Sequence, residues 1–246
     1  MKNILIISLF VALFSCNADE KESAQEIVNR SIEVAGGDHL NNVDIEFEFR
    51  GREYGAKFEN GHFEYVRLFK DSADLVRDEL TNEGFVREIN GEVANIPDSM
   101  AAKYARSVNG VIYFALLPQK LSDPAVNTSY MGEKEINEQK YHKIKVTFDK
   151  QQGGEDHNDV FIYWINQQTY KPDFLAYEYH TDGGGMRFRE AYNERYVGYI
   201  RFVDYINYKP VANVTLENID EAYINDELEK LSSIELEKIK VNTINQ

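Results

Sequence analysis

The period of the apolar positions changes twice along the chain. Ser23–Gly37, SAQEIVNRSIEVAGG, places Ile27, Val28, Ile32 and Val34/Ala35 at helical spacing, and Gly36-Gly37 supplies a left-handed stop. From Val43 the period falls to two. Val43, Ile45, Phe47 and Phe49 alternate with polar residues, which predicts a strand with one wet face. Asn60-Gly61 then joins two alternating runs, YGAKFE and HFEYVRLF, as a tight hairpin requires. Asp98–Leu117 returns to a helical pattern, with Asp98 or Ser99 as the expected cap, Pro118 as the stop and Gly110 as a point of bending.

The remainder reads as strand and turn. YHKIKVTF, DVFIYWI, FLAYEYH, MRFREAY and VGYIRFVDYINY are rich in β-branched and aromatic residues, and GG, NQQTYKPD, DGGG and NE separate them. A late helix is expected around Ile224–Leu231, followed by a final strand, IELEKIKV. Short turns between successive strands predict an antiparallel meander rather than βαβ units. The fold class is therefore mainly β (α+β): a curved antiparallel sheet forming an incomplete barrel around one or two helices.

The N-terminus changes the picture of where such a domain works. MKNILIISLFVALFS has one early positive charge, Lys2, and an apolar run too short to span a bilayer but suited to a secretory signal. Ser15 stands before Cys16, the one cysteine of the chain, in a segment that resembles the lipobox of bacterial lipoproteins. That resemblance implies acylation of Cys16 as the first mature residue. The chain divides into a signal peptide (1–15), a lipidated flexible tether (16–23) and one β-rich half-barrel domain (24–246). Asp19 and Glu20 after Cys16 resemble an export signal to the cell surface. The expected location is the bacterial outer membrane, on its periplasmic or cell-surface side.

Charge then excludes a partner class. With 27 basic and 42 acidic residues the net charge is −15, and loss of residues 1–15 makes it −16. Such a surface repels phosphate backbones, so no nucleic-acid partner is expected. It also repels anionic lipid heads, which leaves the acyl anchor to hold the membrane.

Several blocks together carry a family resemblance: SVNGVIYFALLP, LSDPAV, YMGEKEI, YHKIKVTF, GGEDHNDVFIYW, DFLAYEYH, GGGMRFREAYNER and FVDYINY. Over most of Ala24–Val241 the chain resembles an uncharacterised lipoprotein family of Bacteroidota, known as a domain of unknown function. The hairpin YWINQQTYKPDFLAYEY is also similar to one in the wider class of carriers that includes LolA and LolB. That class implies an open barrel around a helix-lined apolar cavity that holds acyl chains. The resemblance implies no catalytic residue.

Two loops carry candidate chemistry. In GGEDHND, the groups Glu155, Asp156, His157 and Asp159 lie within five positions. Cysteine is absent there, calcium's D-x-D-x-D-G order is missing, and no G-x-S-x-G accompanies the histidine. A polar turn at a sheet rim is the expectation, with no metal and no cofactor. Arg187 and Arg189, two apart on a strand after three glycines, share one face. In so acidic a chain they are expected to pair with internal acids such as Glu155, Asp156 or Asp159; the alternative is a ligand's carboxylate or phosphate. These six residues would form a polar rim.

The resulting expectation is a membrane-anchored binding or carrier protein for an apolar or amphipathic ligand such as lipid. Val108, Ile112, Tyr113, Phe114 and Leu117 on the helix, with Trp164, Tyr177 and Tyr179 on the sheet, would line the cavity. Two alternatives stand beside it: a hydrolase using the GGEDHND loop, and a structural envelope protein with a filled core. No protein partner is implied.

Overall fold

The computed structural model describes residues 22–149, 158–180, 183–211 and 213–244. Helix α1 (Ala24–Val34) opens with a capping box: Glu26 N–H donates to the Ser23 hydroxyl, and Ser23 N–H donates to the Glu26 carboxylate at 2.8 Å. Its end is stopped by Gly36 at φ +133°, where a Cβ would lie 3.2 Å from the backbone of Ile200. Only glycine lets the helix end abut that later strand.

Six strands follow as hairpins: β1 (Val43–Phe49), β2 (Arg52–Glu59), β3 (His62–Asp71), β4 (Asp74–Thr81), β5 (Gly84–Ile89) and β6 (Glu92–Val93). Asn60 and Gly61 both take positive φ, the geometry that matches a two-residue turn to strand twist. Helix α2 (Asp98–Ala115) then crosses the inner face. Its cap residue is Pro97, whose extended backbone ends the incoming chain, so the expected side-chain cap from Asp98 or Ser99 is not made. The helix also runs through Gly110 without interruption.

A second run contains β7 (Val126–Ile136), β8 (Gln139–Phe148), β9 (Val160–Asn166), β10 (Pro172–Tyr179), β11 (Gly185–Val197), β12 (Ile200–Pro210), α3 (Ile219–Ile224), β13 (Leu228–Ile234) and β14 (Glu237–Thr243). The late helix thus lies five residues earlier than the sequence pattern suggests. Asp226, at φ +57°, ends the helical path, and the following residues pair with β12 instead. An unpaired strand edge outweighs a weak local helical preference. IELEKIKV is accordingly split, Ile234 closing β13 and Glu237 opening β14.

Two antiparallel sheets result, ordered β14-β1-β2-β3-β4-β5-β6 and β13-β12-β11-β10-β9-β8-β7, and they do not close into a barrel. The short passage from β13 to β14 carries the chain between them, with Leu236 N–H donating to Asp204 at 3.0 Å.

Burial differs between the sheets. The first has one packed face, where Val43, Ile45, Phe47, Tyr54, Ala56 and Tyr65 meet Val108 and Ile112 of α2. The second is covered on both faces. Phe161, Tyr163 and Ile165 pack with Ile27 and Val28 of α1, while Ile162 and Trp164 pack with Leu216 and Ile219 around α3. That double burial explains the unbroken apolar run of β9.

Candidate functional site

Between α2 and the second sheet the packing is incomplete. A cavity of about 270 Å³ is lined by Gly110, Tyr113 and Phe114 of α2, by Phe148, Phe161 and Tyr177 of the sheet, and by Lys120, Asp123 and Asp159. A second, of about 190 Å³, lies among Val111, Phe114 and Ala115 of the helix and Arg189, Val203 and Tyr205 of the sheet. Gly110 and Phe114 border both. A Cβ built on Gly110 meets nothing within 4 Å, so the helix leaves open space at that junction. Other hollows, of 410 to 590 Å³, lie elsewhere on the surface; one spans β1–β3 and β14 among Glu46, Glu48, Lys238 and Lys240.

The walls are aromatic. The Phe114 ring lies 5.3 Å from that of Tyr177 and 6.3 Å from that of Phe161, and Phe161 stacks on Tyr177 at 5.2 Å. The hydroxyls of Tyr113 and Tyr163 share a hydrogen bond of 3.0 Å across the helix–sheet gap. Burial pushes both phenols up, so they remain neutral across the physiological range. Lys120 faces the rings of Phe58, Phe63 and Tyr65 at 5.3–5.8 Å. Burial pulls its ammonium down, against the charge of Asp123.

The expected lining residues separate into groups. Tyr113, Phe114 and Tyr177 stand on the cavity wall. Tyr179 is half-buried beside Tyr177, 6.0 Å from its ring. Val108 and Ile112 are fully buried and point into the packed face of the first sheet, and Leu117 belongs to the core with α1. These three fill the interior rather than bound a void. Trp164 requires a plain correction. It lies on the opposite face of β9, where its indole N–H donates to Asp220 at 3.1 Å and Lys143 sits 5.2 Å above the ring. Phe161, Tyr163 and Ile165 take the cavity face because side chains alternate along a strand.

Of the expected polar rim, Glu155, Asp156 and His157 lie outside the described residues, as does Cys16. Asp159 lines the larger cavity. Arg187 covers the Tyr179 ring and donates to the carbonyl of Met186. Arg189 turns inward and is 8% exposed. Its guanidinium lies 3.7 Å from the centre of Phe114 and donates to the Tyr177 hydroxyl at 2.9 Å. Among the described residues neither arginine meets a carboxylate; two of the expected partners, Glu155 and Asp156, lie outside them. No group of three histidine, cysteine or acidic side chains among the described residues is placed to hold a metal.

One polar cluster escaped the sequence reading. Arg67, Asp78 and Arg87 lie directly across from one another on β3, β4 and β5. Asp78 is fully buried and accepts from both arginines, while Arg67 also donates to Ser107 of α2 at 2.7 Å and Arg87 lies 3.4 Å from the Tyr104 ring. A charge at the inward position of three successive strands was the available signal.

This geometry can be set beside known proteins. The chain belongs to the family of unknown function DUF6503, whose model matches residues 2–238. No curated protein matches it. A LolA superfamily protein from Nitrosomonas europaea is similar in structure, with 12% identity, a TM-score of 0.50 and coverage of 89% of this chain and 94% of that one. A putative outer membrane lipoprotein-sorting protein domain from Vibrio parahaemolyticus gives 10% identity, a TM-score of 0.44, and coverage of 89% and 95%. At such identities the first likeness shows the fold: mostly antiparallel β, in two unclosed sheets with few helices.

Proposed function

We propose that this member of the DUF6503 family is a binding or carrier protein that takes an apolar or amphipathic ligand, such as a lipid, between α2 and the second sheet. The observation that carries the reading is the pair of cavities meeting at Gly110 and Phe114. Each alone falls below the ~300–1,000 Å³ of ordinary ligand sites. Phe114 borders both, so movement of this one ring would join them. Binding would draw on removal of apolar surface from water, at about 25 cal/mol per Å². The likeness of the fold to that of a LolA superfamily protein supports the reading.

The same proposal includes the anchor. Residues 1–15 would direct export, acylated Cys16 would hold the protein on the outer membrane, and residues 24–246 would form the single ligand-binding domain. Several acyl chains suffice for a stable hold where one does not. No helix among the described residues is long and apolar enough to cross a membrane.

The test is extraction of purified, non-acylated Cys16→Ser protein followed by mass spectrometry. A bound amphiphile in near-stoichiometric amount is the expected result. Recovery of no ligand, together with failure to bind a fluorescent fatty-acid probe, would overturn the proposal. Metabolic labelling with palmitate, present in the native chain and lost in Cys16→Ser, tests the anchor separately.

A further inference from the structure

Four cationic side chains are deeply buried among the described residues: Arg67, Lys143, Arg189 and Arg201. Three of them meet a carboxylate, Arg67 on Asp78, Lys143 on Asp220 and Arg201 on Glu194. Arg189 meets none among the described residues, in a chain where acids outnumber bases 42 to 27. Its Nε has no hydrogen-bond partner. The smaller cavity, whose wall it forms, has no acid among its lining residues.

A buried guanidinium without an anion is costly, and its contacts with Phe114, Tyr177 and Tyr205 offset only part of that cost. An acid group fits the fork of an arginine with two parallel hydrogen bonds. Phe114 and Tyr177, the two rings nearest this guanidinium, also wall the larger cavity. Resting on the ligand-binding reading above, we infer that Arg189 receives the acidic head of a single-chain amphiphile, whose tail lies in the larger cavity beside Phe114 and Tyr177. The head is therefore held inside the protein, not at its rim. One arginine and two small cavities, of 270 and 190 Å³, match one head and one chain.

The experiment uses delipidated Cys16→Ser protein and calorimetric titration with palmitate, hexadecanol, methyl palmitate and acetate. Palmitate is expected to bind about 10- to 100-fold more tightly than the alcohol or ester, the worth of a charged hydrogen bond. Acetate is expected not to displace it. Arg189→Met should remove the preference for the acid, bringing its affinity down to that of the alcohol. Equal binding of acid and alcohol overturns the inference and leaves the ligand-binding reading standing. So does an equal loss of both in Arg189→Met, or displacement by acetate as effective as by palmitate. If no chain compound binds, both readings fall. Should Arg189→Met not fold, the acid–alcohol comparison in the parent protein decides alone.

Discussion

Gly110 offers a direct probe of the empty space beside α2. It lies within the helix, yet a Cβ there meets no heavy atom within 4 Å and both cavities border it. Gly110→Ala should therefore gain the helix propensity of alanine without a clash, about 0.5–1 kcal/mol. In a chain of this size that raises the melting temperature by roughly 1–4 °C. Gly110→Leu goes further, because its side chain reaches into the junction at Phe114. Burying it would add about 1.5–3 kcal/mol if the shape fits, offset by about 1–3 kcal/mol where the fit is poor. Stability should thus change little or rise, while affinity for a chain-bearing ligand falls by at least tenfold, about 1.4 kcal/mol. Urea unfolding of the three proteins, read with their slopes, and titration with a fluorescent fatty acid make the comparison. A loss of more than about 1 kcal/mol in Gly110→Ala would show that the space is not free. Undiminished binding by a folded Gly110→Leu would place the ligand elsewhere.

Two further predictions address the surroundings of the site. Asp78→Asn leaves Arg67 and Arg87 buried without their shared carboxylate and should cost about 3–5 kcal/mol, measured by urea unfolding; a cost under about 1 kcal/mol would mean that the arginines relax to solvent. Trp164, the single tryptophan, faces away from the cavities, so its emission maximum should not shift on ligand addition, whereas Tyr113→Trp in a Trp164→Phe background should respond.

Much of the scaffold was legible in the residues. Val43, Ile45 and Phe47 announced their buried face through clean alternation with acids, and Asn60-Gly61 announced its hairpin. The second sheet was harder because both faces are covered. In VFIYWIN every position is buried or half-buried, so no polar partner marks which parity faces the cavity. Trp164 was misplaced for that reason, and Tyr163 was overlooked. The Arg67–Asp78–Arg87 cluster was readable in principle. YVRLF sets Arg67 between Tyr65 and Phe69 on the inward parity, and LVRDEL sets Asp78 between Val76 and Leu80. Arg189 was picked out by its parity with Arg187, but its lack of a carboxylate among the described residues depends on how β10, β11 and α2 meet in space. The strand at Leu228–Ile234 was illegible for another reason: its pairing depends on a free edge of β12, which no local pattern encodes.

The ties of α2 indicate how the site would open. Toward the first sheet the helix is held by the Arg67–Ser107 hydrogen bond and by Arg87 against Tyr104, both anchored through buried Asp78. Toward the second sheet the Tyr113 hydroxyl shares a hydrogen bond with that of Tyr163, and Phe114 packs on Arg189 and the aromatic wall beside open space. Widening the gap on that side breaks the Tyr113–Tyr163 hydrogen bond; on the other it would disrupt a buried ionic cluster. Admission of a ligand should therefore proceed by separation of α2 from the second sheet. Tyr113→Phe removes the tie and about 0.5–1.5 kcal/mol of net stabilisation, which is roughly a 2- to 12-fold change in an opening equilibrium. Both association and release of a fluorescent fatty acid, followed by stopped flow, should quicken by that factor with little change in their ratio. Ser107→Ala, which loosens the opposite side, should leave both rates alone. Equal acceleration by the two variants would mean that α2 moves as a free element and not as part of the first sheet.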